Sequence, residues 1–349
     1  MSGRGRMRLG KRLAFALLTI LLLLPLTELG LRLFNVTVDS GGPVFVDRVL
    51  YQSLGGKDAE WDEYITLGAK VYPLTPQNYN IARSPGSKPA GVTRIVALGD
   101  SSTIGDQVQP HQAYPQVLGR TLPGCFPDAN IEVWNLGRHG YTSYQGRLLV
   151  EQLWETLQPD VLIFYFGAND ASPAPIRSDK EWSQVPAWSL SLHRKLYVNS
   201  RLYRLLRNVN VSYMRSRVQH VFREGPLPMN PHCRVSEADF RQNRDALKAR
   251  VEASGGSFIQ ISSAGLTGEK IVPGPFFLEW QPGPRDIDLQ ALFSAERQAG
   301  RNPLADTVHP NAHGHRLLAR EIAARLAAMW GAENCPARAF MEDGDGRSG

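Results

Sequence analysis

Apolar positions fall into two regimes along this chain. From Leu13 to Leu24 they run without a single charge, and beyond Gly91 they come in short blocks separated by polar turns. Arg94-Ile95-Val96-Ala97-Leu98 is largely β-branched and apolar and lies between Gly91 and Gly99, which predicts a buried parallel strand ending in a tight turn. Ile131–Trp134, Val161–Phe166 and Ser257–Ile261 predict three more strands. Between them the spacing turns helical. Tyr114–Leu122 is one helix, and Tyr144–Leu157, with Leu148, Leu149, Gln152, Leu153 and Leu157 on one side, is another. Ser236–Ala253 opens on a capping serine with Asp239 three residues on, and Pro310–Met329 opens on a proline in its first turn. Strands alternating with helices predict an α/β fold, a parallel sheet with helices on both faces.

Two stretches depart from that alternation. Residues 1–12 form a basic tail, and 13–34 an apolar segment interrupted by Pro25 and Glu28. A basic tail ahead of an apolar run is the layout of an export signal. No small-x-small cleavage site follows the run, so the expected form is an uncleaved signal anchor, a transmembrane helix with its tail in the cytoplasm. A cleaved signal peptide is the alternative, and it would leave the protein secreted. The second departure is the insert 171–233, which starts with prolines and continues as a basic amphipathic helix. Leu192, Leu196, Leu202, Leu205 and Leu206 form its apolar side, and Arg194, Lys195, Arg201, Arg204 and Arg207 the other. Such a helix is either a solvated cap or a surface for anionic lipid headgroups or an acidic polymer. Trp182 and Trp188 lie in the same insert. Residues 35–90 are a connecting region in which Trp61–Val71 has the composition of an added edge strand. The domain with the strand–helix alternation spans 91–330, and 331–349 is a polar tail.

Charge narrows the choice of partners. The net charge is +6. Arg4, Arg6, Arg8, Lys11 and Arg12 carry five of those charges, which leaves the rest near neutral and argues against nucleic acid as a partner. Three cysteines, Cys125, Cys233 and Cys335, form no Cys-x-x-Cys pair and allow at most one bridge. In a doubly wound sheet of flavodoxin-like order the first and last helices share a face. Cys125 and Cys335 follow those helices and are the candidate pair, and three unpaired cysteines are the alternative.

Candidate chemistry gathers at the strand ends. Ser101 sits just past the first strand, where it serves either as a helix N-cap or as a nucleophile. Asn135-Leu136-Gly137-Arg138-His139-Gly140 follows the second strand, and Gly167-Ala168-Asn169-Asp170 the third. Asp306-Thr307-Val308-His309 precedes the last helix. Taken singly, Gly140 reads as a turn glycine, Asn169 as a loop cap and Asp306 as the N-cap of the last helix. Asp106 and Asp170 read as loop-fixing residues. His309 and His313 have an i, i+4 spacing that suits zinc, but no third ligand accompanies them, so no metal and no cofactor are expected.

Together the four segments resemble the conserved blocks of the SGNH (GDSL-type) hydrolase family. Gly99, Asp100 and Ser101 match the first block, Gly140 the second, Gly167 and Asn169 the third, and Asp306 and His309 the last. The resemblance covers roughly Gly91 to Met329, and Ser102 stands where the family name carries Leu. It implies a three-layer α/β/α flavodoxin-like fold and a catalytic triad of Ser101, Asp306 and His309. It also implies an oxyanion hole built from the backbone N–H of Ser101, the backbone N–H of Gly140 and the side-chain amide of Asn169. The expected activity is an exported serine hydrolase, an esterase or deacetylase acting on an ester or acylated-carbohydrate substrate. An O-acyltransferase acting on a cell-surface or secreted polysaccharide would use the same residues, and a catalytically silent polymer-binding domain would lack one of them.

The N-terminal pattern generates a topology test. A C-terminal alkaline phosphatase fusion is expected to be active and a C-terminal fluorescent fusion exported through Sec dark. The reverse result excludes both the anchor and the signal peptide.

Overall fold

The computed structural model describes residues 3–36, 64–67, 70–73, 88–172, 174, 178–184, 188, 192, 196, 199–206, 209 and 233–331. Helix α1 (Gly3–Leu33) covers the apolar segment and extends back through most of the basic tail. Strands β1 (Tyr64–Leu67) and β2 (Lys70–Pro73) form an antiparallel hairpin of their own. The edge strand expected over Trp61–Val71 is thus replaced by a two-stranded unit apart from the main sheet.

The rest of the chain runs β3 (Val92–Gly99), α2 (Ser101–Ile104), α3 (Tyr114–Cys125), β4 (Asn130–Gly137), α4 (Ser143–Leu157), β5 (Val161–Tyr165) and α5 (Asp179–Ser183). It continues with α6 (Glu237–Ala253), β6 (Ser257–Ile261), the hairpin β7 (Ala264–Thr267) and β8 (Lys270–Pro273), α7 (Leu289–Gln298) and α8 (Ala312–Trp330). Strands β4-β3-β5-β6 form a parallel sheet in that order. The chain leaves β3 on one side for β4 and returns on the other side for β5. An open α/β sheet has its crevice at such a reversal, beyond the carboxyl end of the strand.

Packing explains the pattern of β3. Ile95 and Ala97 join Leu118 and Leu122 of α3, Phe293 of α7 and Leu318 and Ile322 of α8 in one core. Val96 and Leu98 face the opposite core with Val150 of α4 and Phe240 and Leu247 of α6. The strand is covered on both faces, so its residues read as one apolar run without alternation. Three layers, α/β/α, follow directly. Arg94 is the exception. Its buried guanidinium donates to the carbonyl oxygens of Thr156 and Leu157, pairs with Glu132 at 3.0 Å and lies 4.1 Å over the Trp134 ring. Every charge-bearing nitrogen of a cation buried this way needs such partners.

The helix boundaries shift where caps decide them. Thr142 caps α4 in a capping box with Gln145. The last helix starts at Ala312, capped by Asn311, whose Oδ1 accepts from Gly314 N at 3.0 Å. Pro310 therefore lies outside that helix instead of in its first turn, and it bridges to Leu304.

The first and last helices, α3 and α8, share a face as expected. Phe126 just past α3 and Trp330 at the end of α8 meet edge-on, ring centroids 5.0 Å apart. Cys125 is disulfide-bonded, and its expected partner Cys335 lies outside the described residues. Peptide mapping without reductant is expected to recover Cys125 joined to Cys335. Such a bridge closes a loop of roughly 200 residues and stabilises by up to about 5 kcal/mol in the chain-entropy model. Recovery of Cys125 joined to Cys233 would overturn the pairing.

Candidate active site

The carboxyl ends of β4, β3 and β5 lie side by side, with Gly99 opposite Gly137 on one side and Tyr165 on the other. Ser101, Gly140 and Asn169 each follow one of these ends within four residues. The chain turns into α2 immediately after Gly99. A Cβ on Gly99 would stand 2.0 Å from Thr103 Oγ1 and 2.6 Å from the Tyr165 carbonyl oxygen, so only glycine admits that turn.

The N-cap of α2 is Asp100, not Ser101. Asp100 Oδ1 accepts from Ser102 N at 2.9 Å. Ser101 stands at the first helical position, and its hydroxyl lies 2.9 Å from His309 Nε2. His309 Nδ1 is 2.6 Å from Asp306 Oδ2. Asp306 does not cap the last helix. Its Oδ1 accepts instead from the backbone N–H groups of Val308 and His309, at 2.8 and 2.7 Å. Burial works to raise the Asp306 pKa, but these bonds and the His309 ring outweigh it and hold the carboxyl below its ordinary value. With Asp306 ionised, Nδ1 of His309 is the donor and Nε2 is left to accept the Ser101 proton.

Backbone bonds brace the segment that carries Asp306 and His309. Ala305 N donates to the His309 carbonyl oxygen, Leu266 N to that of Thr307, and the Asn311 side chain to the carbonyl oxygens of Asn302 and Leu304. The β7–β8 hairpin thus supports the segment from one side and the start of α8 from the other.

Gly140 has φ +67°, a left-handed backbone that suits glycine. Its loop is pinned from three directions. Arg138 N donates to the Gly99 carbonyl oxygen at 3.0 Å, and His139 Nδ1 lies 2.7 Å from Asp106 Oδ2. Buried Arg234 donates from Nη1 to the Gly140 carbonyl oxygen at 2.8 Å. Arg234 also bonds Gln145 and both oxygens of buried Asp179. Asp179 and Arg234 stand near the two ends of the insert, so the insert is fastened to the Gly140 loop. Asn169 donates from Nδ2 to Asp100 Oδ2 at 3.3 Å. Burial pushes the Asp100 pKa up to about 6, against bonds from Ser102 that lower it.

The structure thus brings Ser101, His309 and Asp306 into one hydrogen-bonded line, with Gly140 and Asn169 on the neighbouring strand ends. Asp106 and Asp170 fix loops, as read from the sequence. The sequence reading missed Arg234, Asp179 and the tie from Asp100 to Asn169. Arg234 precedes a capping serine in a polar stretch, and nothing in that pattern separates a buried cation from a solvated one. The histidines near the last helix do not converge. His313 Nε2 lies 2.8 Å from Glu296, and His315 is buried with Nδ1 accepting from Tyr114 N at 3.2 Å. Among the described residues no cluster of three metal-ligating side chains exists.

The GDSL-like lipase/acylhydrolase family matches residues 97–317. No curated protein matches the chain. Solved structures similar to it include a lipase/acylhydrolase from Enterococcus faecalis, 18% identical over 68% of this chain and 96% of that one, TM-score 0.41. An acetylxylan esterase from Geobacillus stearothermophilus is 18% identical over 69% of this chain and 95% of that one, TM-score 0.39.

Asp170 generates a pH prediction. It is buried; Oδ1 accepts from the backbone and hydroxyl of Ser143, and Oδ2 has no partner among the described residues. Burial outweighs the Ser143 bonds and pushes its pKa up from 3.8 to about 7. The folded state thus holds a proton that the unfolded chain releases, so this contribution is complete below about pH 4 and is lost as pH rises to about 7. Asp170→Asn cannot titrate. It is expected to stabilise the protein at pH 8 and not at pH 4, as read by melting temperature. Parallel curves for the two proteins would refute the shift.

Proposed function

The chain belongs to the GDSL-like lipase/acylhydrolase family, a family of ester-hydrolysing enzymes, and on that premise we propose an exported serine esterase or deacetylase acting from residues 91–330. The reading rests on one observation, the hydrogen-bonded line from Ser101 through His309 to Asp306 at the reversal point of the sheet. Ser101 Oγ attacks the ester carbonyl carbon while its proton passes to His309 Nε2. Asp306 holds the ring tautomer and stabilises the imidazolium. The oxyanion that forms takes hydrogen bonds from the N–H groups of Ser101 and Gly140 and from the Asn169 amide. One proton of that amide is committed to Asp100, which leaves the other to donate, so Asp100 acts as a positioning residue. Collapse breaks the ester bond, the departing alcohol takes the proton from His309, and acyl-Ser101 remains. Water then attacks the acyl carbon and gives a proton to His309; the bond from that carbon to Ser101 Oγ breaks, His309 returns the proton to Ser101 Oγ, and the acid leaves.

Export is supported by α1, whose Ala14–Leu33 is long and apolar enough to cross a membrane, and by the bridged Cys125, which suits an oxidising compartment. On this reading the catalytic unit lies in the periplasm or outside the cell on a membrane anchor, or is secreted if the N-terminal segment is cleaved. Acylated carbohydrate is then the substrate class to test first.

Ser101→Ala is expected to abolish hydrolysis of p-nitrophenyl acetate with unchanged circular dichroism, and His309→Ala to cost a similar amount because the members act as a unit. A Ser101→Ala protein with wild-type kcat/KM removes the mechanism. Asn169→Ala is expected to lower kcat by about 10²- to 10³-fold with a smaller change in KM. An effect confined to KM would mean that Asn169 serves only substrate binding. Product analysis with an acetylated polysaccharide is expected to find free acetate. Acyl groups appearing on saccharide hydroxyls in its place would replace hydrolysis by O-acyl transfer.

A further inference from the structure

The apolar span of α1 and the insert are joined. Glu28, the one carboxylate in α1, does not face solvent alone. Its oxygens accept from Ser200 Oγ at 2.9 Å, Arg201 N at 3.1 Å and Leu202 N at 2.8 Å, and from Arg32 Nε of its own helix. Residues 201–206 are helical, so Glu28 caps the start of that turn of helix with a negative charge. Arg201 returns the contact. Its guanidinium donates to the carbonyl oxygens of Leu31 and Val36 and to Asn35 Oδ1, at 3.0, 3.2 and 3.3 Å. Arg32 also donates to the Asn199 carbonyl oxygen. Each helix end satisfies the open backbone groups of the other.

The depth of this joint follows from α1. Among its described residues, none of the span Ala14–Leu33 is buried against the protein. At 1.5 Å per residue, its 20 residues match a hydrocarbon core of about 30 Å. Glu28 lies five residues short of the end of that span, about 7–8 Å inside the outer edge of the core, where an unpartnered carboxylate is costly. Apart from Arg32 of its own helix, its partners come from the insert. The insert keeps large apolar side chains uncovered, among them Trp188 (71% exposed), Leu206 (57%) and Val209 (60%). Leu192, Leu196 and Leu205 are also exposed. Arg194, Lys195, Arg204 and Arg207 supply cations in the same stretch of sequence.

We propose that the insert is a membrane-docking element, lying in the outer interface of the bilayer where α1 leaves it. Its leucines and Trp188 enter the acyl boundary, and its cations meet lipid phosphates. This proposal rests on the anchor reading of α1. The insert is fastened at its base to the Gly140 loop through Arg234 and Asp179, so docking it also fixes the height of the site above the membrane. A substrate held at the surface, whether a lipid-linked or wall-attached acylated glycan, would then meet the site at a set distance.

Nitroxide labels in the full chain test this. Leu22→Cys, Leu206→Cys and Lys270→Cys, each on a Cys233→Ala background, are placed in vesicles of phosphatidylethanolamine and phosphatidylglycerol. Power saturation with oxygen and a water-soluble nickel chelate then reads the depth of each label. The expected order is Leu22 in the hydrocarbon, Leu206 at the interface and Lys270 in water. A deep Leu22 label with a Leu206 label as water-exposed as Lys270 overturns the docking and leaves the anchor standing. A water-exposed Leu22 label overturns both. Glu28→Leu is expected to release the Leu206 label toward water while Leu22 stays deep. An unchanged Leu206 depth in that variant overturns the joint as the device that places the insert.

Discussion

Everything at the site depends on how closely the chain passes itself at the end of β3. Gly99 leaves room for Thr103 and for the Tyr165 carbonyl oxygen where any side chain would collide. That closeness lets α2 begin at once after the strand. Asp100 can then cap α2, and the cap frees the Ser101 hydroxyl from backbone duty. A serine in the capping position would spend its oxygen on an N–H of the first turn. One residue later, the same hydroxyl points to His309. The division of labour between Asp100 and Ser101 leaves the Ser101 hydroxyl free for the nucleophilic role proposed for it.

The sheet order supplies the rest. Because β4 and β5 flank β3 on opposite sides, loops from three strands reach one crevice. Each loop is then tied to its neighbour by polar contacts with specific partners. Arg138 bonds back to Gly99, His139 to Asp106, and Asn169 to Asp100. The His309 segment is held between the β7–β8 hairpin and the cap of α8. Groups that serve a transition state must be held before it forms, since ordering them during the reaction would cost part of their benefit.

Arg234 adds a link between regions that the chain order keeps apart. Its guanidinium joins the Gly140 carbonyl oxygen, the N-terminal turn of α4 and Asp179 of α5. A buried cation of this kind is stable only with its partners in place. The chain enters the insert from the loop after β5 and comes back beside it, with Arg234 N donating to the Ser172 carbonyl oxygen and Val235 N to that of Asp170, while the Arg234 side chain reaches across to the Gly140 loop.

Local pattern carried the strands and most helices of the α/β unit, because β3, β5 and β6 are buried on both faces and α4 and α6 present one apolar face each. Position alone read Gly140, Asn169 and Asp306 as turn and cap residues; it was the resemblance of their segments, together with those of Ser101 and His309, to the blocks of the family that marked them. The sequence did not separate capping from catalysis. Ser101, Asp306 and Pro310 each fitted a helix start, and only the observed caps, Asp100 and Asn311, assigned them elsewhere. Nor did it reveal Arg94 or Arg234 as buried, because a cation has the same local signature whether its partners are water or, as for Arg234, a carboxylate 55 residues away in the chain. The joint between Glu28 and Arg201, 173 residues apart, is of the same kind. Periodicity records which face of an element is dry. Which distant polar groups meet there is decided by the packing of elements against one another, and that exists only in the folded chain.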